Sequence, residues 1–283
     1  MSVTTAATLT ACGGTGDDSG KPAVVASTNV WADIATSIAG PDAEVSAIIS
    51  DPAADPHSHE TSAAESAQIS DADLVVYNGG HYDEFMSKAI EGRGQRTVEA
   101  AAARDPEIQG DTNEHLWYDM ETVAAVAEQI STALGELDSA HAAGYADRAA
   151  QFTDRLNQVT SLSDRIAADH PGTPILQTEP LAYYLLQDAG TVDRTPPEYQ
   201  NAIEQETDPA PAAVAATRDL INSKQIDVLV YNVQTEDKVS QDLRAAADSA
   251  GIPVVEVTET LPPGLDFVGW QTQNTQALAD AIS

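Results

Sequence analysis

The chain has 283 residues, of which 42% are hydrophobic, enough for one large core or two lobes of moderate size. It carries 45 acidic and 13 basic residues, a net charge of -32, which argues against nucleic acid as a partner and against charge-driven binding to an anionic membrane. No stretch approaches the roughly 20 consecutive apolar residues of a transmembrane helix.

The only cysteine, Cys12, rules out an intramolecular disulfide and lies in a distinctive context. Residues 9–14 (Leu-Thr-Ala-Cys-Gly-Gly) resemble a bacterial lipobox, with a small-residue apolar run before them and a Gly/Ser/Asp tether after them. No positively charged segment precedes the apolar run, so we expect either an upstream start or a clipped one. We interpret residues 1–21 as a truncated signal and tether, with a lipid anchor on Cys12 that holds the protein at the outer face of the cytoplasmic membrane.

The first half of the remaining chain alternates strand and helix patterns. Short apolar runs predict strands over residues 23–28, 44–49, 72–77 and 97–100. Apolar residues at helical spacing predict helices over residues 30–39, 61–70 and 82–90. This alternation is typical of βαβ units with a mostly parallel sheet, and we assign residues 22–137 to a first lobe.

The middle of the chain, residues 120–169, has no strand pattern. One apolar stripe predicts a helix that ends near Leu137, and a second helix is expected to run from an N-cap at Ser139 to residue 169. A helix of this length between two strand-rich halves predicts a rigid connector over residues 138–171.

The second half, residues 172–283, returns to the alternating pattern. The predicted strands are 174–178, 226–232 and 253–258. The predicted helices are 181–187, 212–223, 236–250 and 271–282, and residues 190–209 are expected to form an irregular loop. The predicted fold is therefore α/β, with two lobes that each contain a mostly parallel sheet flanked by helices, joined by the long connector helix.

Side chains able to bind a metal lie near the predicted strand ends. The run Asp55-Pro56-His57-Ser58-His59-Glu60 places two imidazoles and two carboxylates after the second strand, in a chain with only six histidines. His115 lies at the end of the first lobe, just before the long helical region, and Glu179 and Glu259 each end a strand of the second lobe. Ligands of open α/β sheets bind beyond the carboxyl ends of the strands. Imidazole and carboxylate are the usual ligands of zinc, manganese and iron, so a metal between the lobes would be within reach of both halves.

Two motifs, taken together, resemble those of a known family. They are Asp-Pro-His-x-x-Glu at residues 55–60 and x-x-His-x-Trp-x-Asp at residues 113–119, and they resemble the metal-binding lipoproteins of bacterial ABC importers, the zinc/manganese solute-binding proteins. The order of elements, the connector and residues 254–262 match as well, so the resemblance covers nearly all the chain after the tether. It implies a non-enzymatic receptor that captures one divalent metal and delivers it to a membrane permease driven by an ATPase.

The resemblance implies the ligand set His57, His115, Glu179 and Glu259. The third ligand is a histidine in many zinc-type members and a glutamate in many manganese-type members, whereas the fourth is usually an aspartate. Glu259 therefore differs from the usual aspartate by one additional methylene group. Because two imidazoles with two carboxylates form a harder site than three imidazoles, we expect manganese first, zinc next, and ferrous iron less readily.

Four other residues are expected beside this set. His59 is an alternative ligand or a neighbour of one, and Asp119 is expected to hydrogen-bond the second ring nitrogen of a ligand histidine. Asn232 and Gln234 follow a predicted strand and are expected to donate hydrogen bonds near the site. For each of them the competing interpretation is an ordinary loop or turn residue, and His81 is expected to be such a loop residue.

Two other functions remain as alternatives. One is an adhesin, or a binder of another solute, on the same scaffold. The other is a zinc hydrolase with Glu60 or Glu114 as general base, which we favour least because the chain has no His-Glu-x-x-His and four protein ligands leave little room for a reactive water. We expect a monomer.

Overall fold

The computed structural model describes residues 20–51, 54, 56, 59–104, 113–205 and 207–283. Within these ranges the strands form two separate four-stranded sheets, one from each half of the chain, and neighbouring strands in both are parallel. The predicted α/β class is confirmed. In the same ranges, no helix combines the length and the apolar character that crossing a membrane requires.

The first sheet has the strand order β2-β1-β3-β4. Its strands are β1 (Ala23–Thr28), β2 (Glu44–Ile49), β3 (Leu74–Tyr77) and β4 (Arg96–Glu99). The helices of this half are α1 (Asn29–Ala39), α2 (Ala63–Asp71), α3 (Glu84–Ile90) and α4 (Ala100–Ala103). β1 and β3 are the central strands, and their near-continuous apolar runs reflect burial on both faces of a parallel sheet.

The second sheet repeats this topology in the order β6-β5-β7-β8. Its strands are β5 (Pro174–Gln177), β6 (Val192–Asp193), β7 (Val228–Asn232) and β8 (Val254–Val257). The helices of this half are α7 (Tyr183–Asp188), α8 (Pro197–Glu204), α9 (Pro211–Asn222), α10 (Lys238–Ala250) and α11 (Phe267–Ile282). In each sheet the chain reverses its direction of growth between the two central strands, and such a reversal opens a crevice at the carboxyl edge.

Two long helices, α5 (Met120–Leu137) and α6 (Ala142–Asp169), lie between the sheets in the sequence. The predicted start of α6 at Ser139 is wrong, because its N-cap is His141. The preceding residues form a turn in which the Asp138 carboxylate lies 2.6 Å from Nδ1 of His141 and the His141 amide bonds the Asp138 carbonyl. Ser139 is used in that turn instead of capping the helix.

One hydrophobic cluster extends through both halves. It includes Val76 of β3, Val230 of β7, Phe152 of α6 and Trp270 of α11. Two smaller clusters cover the outer faces of the two sheets. Because a close-packed core resists deformation, a core shared by both halves restricts their relative motion.

The predicted irregular loop over residues 190–209 is also wrong, since it contains β6 and α8. Pro197 occupies the first turn of α8, where its missing amide hydrogen costs nothing. Tyr199 anchors the helix: its ring is 1% exposed and its hydroxyl donates to the Thr178 carbonyl at 3.3 Å. The last helix begins at residue 267 instead of 271, because Asp266 caps it by accepting from the Gly269 amide.

Candidate metal-binding site

The carboxyl ends of both sheets border one cavity of about 680 Å³. Three of the four predicted ligands, His115, Glu179 and Glu259, line it. The fourth, His57, lies outside the described residues, as does Cys12 of the predicted lipid anchor. The structure therefore brings together side chains that are far apart in the sequence.

His115 is 5% exposed and follows the end of the first sheet, immediately before a 3-10 turn at Leu116–Tyr118. Its backbone amide donates to the Asn113 side-chain oxygen at 3.0 Å, and its ring Nδ1 lies 3.1 Å from the same oxygen. That contact fixes the ring tautomer with the hydrogen on Nδ1, which leaves Nε2 as the nitrogen able to bind a metal. Nε2 lies 3.8 Å from Oε1 of Glu179 in the other half.

Asn113 also joins the two halves. Its Nδ2 donates to the Pro180 carbonyl at 2.8 Å, and its own carbonyl accepts from the Tyr184 hydroxyl at 2.7 Å. The residue that orients His115 is therefore bound on both sides to the segment that follows Glu179. The relative position of these two side chains is set by a hydrogen-bonded bridge as well as by the core.

Glu179 follows β5, and its side chain is 12% exposed. Its Oε2 accepts from Nδ2 of Asn232 at 2.7 Å and from the Thr235 hydroxyl at 2.6 Å. Asn232 is the last residue of β7, the other central strand, so both groups lie at the strand reversal of the second sheet. Both donors bond Oε2, and Oε1 faces His115.

Glu259 is 3% exposed and lies beyond β8. Its Oε1 accepts from the same Asn232 amide at 3.1 Å, and its Oε2 lies 3.5 Å from the Tyr82 hydroxyl of the first half. Gln234 supports the backbone: its side-chain oxygen accepts from the Glu259 amide and from the Thr260 amide. Asn232 thus bridges two carboxylates, while Gln234 positions the loop that carries one of them.

A second pair of contacts ties the Glu259 loop to the first half. Asn29, the first residue of α1, donates through its side chain to the Leu261 carbonyl at 3.0 Å and accepts from the Leu261 amide at 3.1 Å. Tyr118 donates to the Thr258 carbonyl at 2.9 Å, and its complete burial raises the pKa of its hydroxyl far above the ordinary range. The loop is therefore held by neutral hydrogen bonds at physiological pH.

Asp119 was predicted to lie beside a ligand histidine, but its carboxylate has different hydrogen-bond partners. The Asp119 carboxylate caps α5, accepting from the Glu121 and Thr122 amides and from the Thr122 hydroxyl. In His115 the nitrogen in question lies beside Asn113 instead. A contact between Asp119 and His57, which lies outside the described residues, stays a prediction. An aspartate directly before a helix satisfies unpaired amides of the first turn, which competes with any other use of its oxygens.

His59 lines a different pocket from His115, Glu179 and Glu259. Its ring packs edge-on against Phe85 with 4.7 Å between ring centroids, and its Nε2 lies 3.5 Å from Oε1 of Glu65. His81, expected to be a loop residue, is on the surface with 92% of its side chain exposed, and it lines both pockets.

In the described part of the chain, no three His, Cys, Asp or Glu side chains lie close enough to enclose a metal ion by themselves. What the structure contains is an imidazole facing one carboxylate and a second carboxylate held near it by Asn232. Two acceptor-only carboxylates and an imidazole nitrogen in a poorly solvated cavity favour a cation, because a positive charge reduces the repulsion between the acids.

Asn113, Tyr82 and Thr235 were not among the predicted site residues. Asn113 lies two positions before His115 in the same motif, so the spacing offered a signal. Tyr82 is 1% exposed and packs against Trp117 in a tilted arrangement with 4.7 Å between ring centroids, and in the sequence it is indistinguishable from an ordinary core tyrosine.

Comparison with sequence families decides the assignment. The family described as zinc-uptake complex component A, periplasmic (ZnuA), matches residues 24–281. The chain belongs to this family. The resemblance carried by the two sequence motifs is confirmed, and the family is described as a periplasmic component of an uptake complex.

Individual relatives in this family are distant. The manganese-binding lipoprotein MntA of Bacillus subtilis is 26% identical over 176 residues, which are 58% of this chain and 56% of that protein. The iron-binding protein YfeA of Yersinia pestis is 26% identical over 236 residues, which are 80% of this chain and 74% of that protein. The alignment with MntA thus spans little more than half of that relative's length.

Solved structures share the fold over almost the whole chain. The periplasmic zinc-binding protein TroA of Treponema pallidum superposes with a TM-score of 0.79 at 17% identity, over 93% of this chain and 100% of that one. The laminin-binding protein Lmb of Streptococcus agalactiae, described as bifunctional with adhesin and metal-transporting activity, superposes with a TM-score of 0.78 at 21% identity and the same coverage. At these identities the superpositions establish the architecture.

Proposed function

We propose that this chain is the extracytoplasmic receptor of an ABC importer, and that it binds one divalent transition metal between its two halves. The observation that carries this proposal is the facing pair of His115 and Glu179, 3.8 Å apart and contributed by different halves. Glu259 completes the described part of the ligand set, and His57 is the fourth ligand. A metal so placed is bound by the first lobe (22–137) and the second (172–283) together.

The metal is a borderline divalent cation. The relatives include proteins described as manganese-binding, iron-binding and zinc-binding, which supports the class without choosing its member. A site of two imidazoles and two carboxylates favours manganese more than a site of three imidazoles does. We therefore place manganese first, zinc second and ferrous iron third. Zinc outbinds manganese at most nitrogen and oxygen sites, so purified protein is expected to carry zinc whichever metal is the cargo.

The receptor would deliver its cargo to a membrane permease powered by an ATPase. A lipid anchor on Cys12 would keep it at the outer face of the cytoplasmic membrane, and several relatives are described as lipoproteins. A single acylated terminus tethers a domain without spanning the bilayer. We infer that the protein acts as a monomer, without nucleic acid and without catalysing a reaction.

Capture and release follow from ligand exchange. The hydrated metal enters the cavity, exchanges water for carboxylate oxygens and imidazole nitrogens, and is released when Glu179 and Glu259 move relative to His115. The shared core, the connector (138–171) and the Asn113 bridge all favour a small displacement over wide hinge closure. Large compaction on metal binding, measured by small-angle X-ray scattering, would contradict this mechanism.

Thermal unfolding of chelator-treated protein tests the function. A ligand that binds only the folded state raises stability by RT ln(1 + [L]/Kd), about 2.7 kcal/mol at a hundredfold excess over Kd. We expect manganese and zinc each to raise the melting temperature of the wild type, and His115→Ala to abolish most of this rise. His170→Ala, which removes an imidazole at the far end of α6, is the control. No rise with either metal would contradict metal binding.

A further inference from the structure

The two carboxylate oxygens of Glu179 have different surroundings. Oε2 accepts from Nδ2 of Asn232 at 2.7 Å and from the Thr235 hydroxyl at 2.6 Å, whereas Oε1 lies 3.8 Å from Nε2 of His115. An ionised carboxylate has about four lone-pair sites, shared equally between its oxygens. The two donors therefore occupy both sites of Oε2, and Oε1 is the oxygen that faces the cargo.

The two donors approach Oε2 from different directions. Thr235 is exposed, and together with Glu179 it lines the cavity of about 680 Å³. Asn232 is 1% exposed at the end of β7, where its Nδ2 also bonds Oε1 of Glu259 at 3.1 Å. Thr235 thus covers Oε2 on the side of the cavity, and Asn232 bonds it from the protein interior.

The turn that carries Thr235 is held on both sides. Before it, Oδ1 of Asn232 accepts from the Gln234 amide at 2.9 Å. After it, Oε1 of Glu236 accepts from the Tyr231 hydroxyl at 2.9 Å. A turn that is already ordered lowers the conformational entropy lost when the Thr235 hydroxyl is held in one orientation. The contact is therefore a built feature of the second half of the chain.

Zinc and manganese differ in the number of ligands that they prefer. Zinc is usually four-coordinate and tetrahedral, whereas manganese favours octahedral sites rich in oxygen. A carboxylate that binds through one oxygen supplies one ligand position, and a carboxylate that binds through both supplies two. The binding mode of Glu179 therefore affects the two metals unequally, although its charge is the same for both.

The geometry points to Thr235 as a specificity-determining residue, whose hydroxyl restricts Glu179 to one metal-binding oxygen and so favours zinc relative to manganese. This inference rests on the proposed function and deepens it, because it names a residue that selects the cargo without binding it. The donor types of the ligand set favour manganese, and Thr235 opposes that preference through the number of oxygens. Glu179, Asn232 and Thr235 all belong to the second half, so this selection does not depend on movement between the halves.

The variant Thr235→Val tests the inference, because it replaces the hydroxyl by a methyl group of similar size. Competition with a fluorescent chelator, on metal-stripped full-length protein, measures the Kd for zinc and the Kd for manganese separately. Loss of a residue that supports a ligand costs about 10–100-fold in metal affinity. Zinc should bear this cost in full, whereas manganese gains an oxygen in return. We expect the ratio of the manganese Kd to the zinc Kd to fall by about tenfold.

Two further variants separate this role from a general structural one. Thr235→Ser keeps the hydroxyl and should have the wild-type ratio. Thr36→Val removes an exposed hydroxyl that bonds the Ala32 carbonyl in α1, and it should leave both affinities unchanged. An unchanged ratio in Thr235→Val, or an equal change in Thr235→Ser or Thr36→Val, would overturn the inference.

Infrared difference spectra of manganese-loaded against metal-free protein measure the binding mode itself. The separation between the antisymmetric and symmetric carboxylate stretches is larger for a carboxylate bound through one oxygen than for one bound through both. This separation should decrease for one carboxylate in Thr235→Val and not in Thr235→Ser, and identical spectra would overturn the inference. A wild type that bound neither metal would overturn the proposed function as well, whereas binding of both metals with an unchanged ratio would overturn this inference alone.

Discussion

The ring Nε2 of His115 and Oε1 of Glu179 lie 3.8 Å apart, although the two residues belong to different halves of the chain. A hydrogen-bonded bridge sets this distance, because the Asn113 oxygen orients the His115 ring while the Asn113 amide holds the Pro180 carbonyl next to Glu179. The two halves therefore share their metal-binding side chains in a fixed geometry, and each side chain can be tested separately.

Replacing Glu179 by Ala should remove a charged ligand and also free Asn232 from one of its two carboxylates. Mutation of residues that only support ligands costs about 10–100-fold in metal affinity, so loss of a ligand should cost more. The control is Glu198→Ala, an exposed glutamate in the first turn of α8. Competition with a fluorescent chelator measures both affinities, and equal affinity in the two variants would contradict a ligand role for Glu179.

Replacing Asn232 should lower the metal affinity, although Asn232 does not itself bind the metal. In Asn232→Ala the carboxylates of Glu179 and Glu259 lose the amide that they share at 2.7 and 3.1 Å. We expect a loss of metal affinity of about 10–100-fold, with one metal still bound per chain. Asn222→Ala, at the exposed end of α9, is the matched control. Unchanged affinity in Asn232→Ala would show that the two carboxylates do not need this support.

His57 and His59 are two positions apart and are predicted to behave differently. His57→Ala should abolish tight metal binding, as is expected of His115→Ala. His59→Ala should leave tight binding intact, because His59 lines the neighbouring pocket. Calorimetric titration of chelator-treated protein with zinc measures both variants. If His59→Ala abolished tight binding and His57→Ala did not, the assignment of the ligand in this motif would have to be exchanged.

Asp188 should make the fold less stable as the pH rises. Burial, followed by repulsion from Asp119, Asp164 and Glu121, raises the pKa of its carboxyl from 3.8 to about 6. The folded state therefore disfavours the ionised form of Asp188. The stability that its protonated form contributes below pH 4 is lost as the pH rises to about 6. Because the structure leaves Asp188 exposed, solvent screens this effect, which should be about 1 kcal/mol or less.

The matching variant is Asp188→Asn. Urea unfolding should find it more stable than the wild type at pH 7.5 and about equally stable at pH 4. Gln187→Ala, an exposed and uncharged neighbour, should show no such dependence on pH. A variant that is destabilised equally at both values would contradict the predicted repulsion.

Much of the fold follows from patterns that a sequence displays directly. The central strands β1, β3 and β7 are apolar runs rich in Val, and the long helices have apolar stripes, so periodicity located them. Short elements that depend on tertiary contacts were missed. Helix α8 offers only Tyr199 and Ile203 as apolar anchors, and the contact that holds it, from Tyr199 to Thr178, joins segments that the sequence does not connect.

The metal-binding site was likewise predicted only in part. Residue types and strand ends were sufficient to select His115, Glu179 and Glu259, and the structure places all three around one cavity. The hydrogen-bond partners were less predictable. Asp119 could bond a ligand histidine or cap a helix, and in the structure it caps α5. Which oxygen faces the second nitrogen of His115 depends on the turn at residues 113–116, and the sequence does not specify that backbone path.

The most direct test is X-ray absorption at the metal edge of protein loaded with one equivalent of zinc or manganese. The proposed ligand set predicts two imidazoles and carboxylate oxygens in the first shell, with no sulfur. One imidazole should disappear in His115→Ala, and one in His57→Ala. A wild-type spectrum with three imidazoles, with none, or with the same imidazole count after both substitutions would contradict the metal site described for this chain.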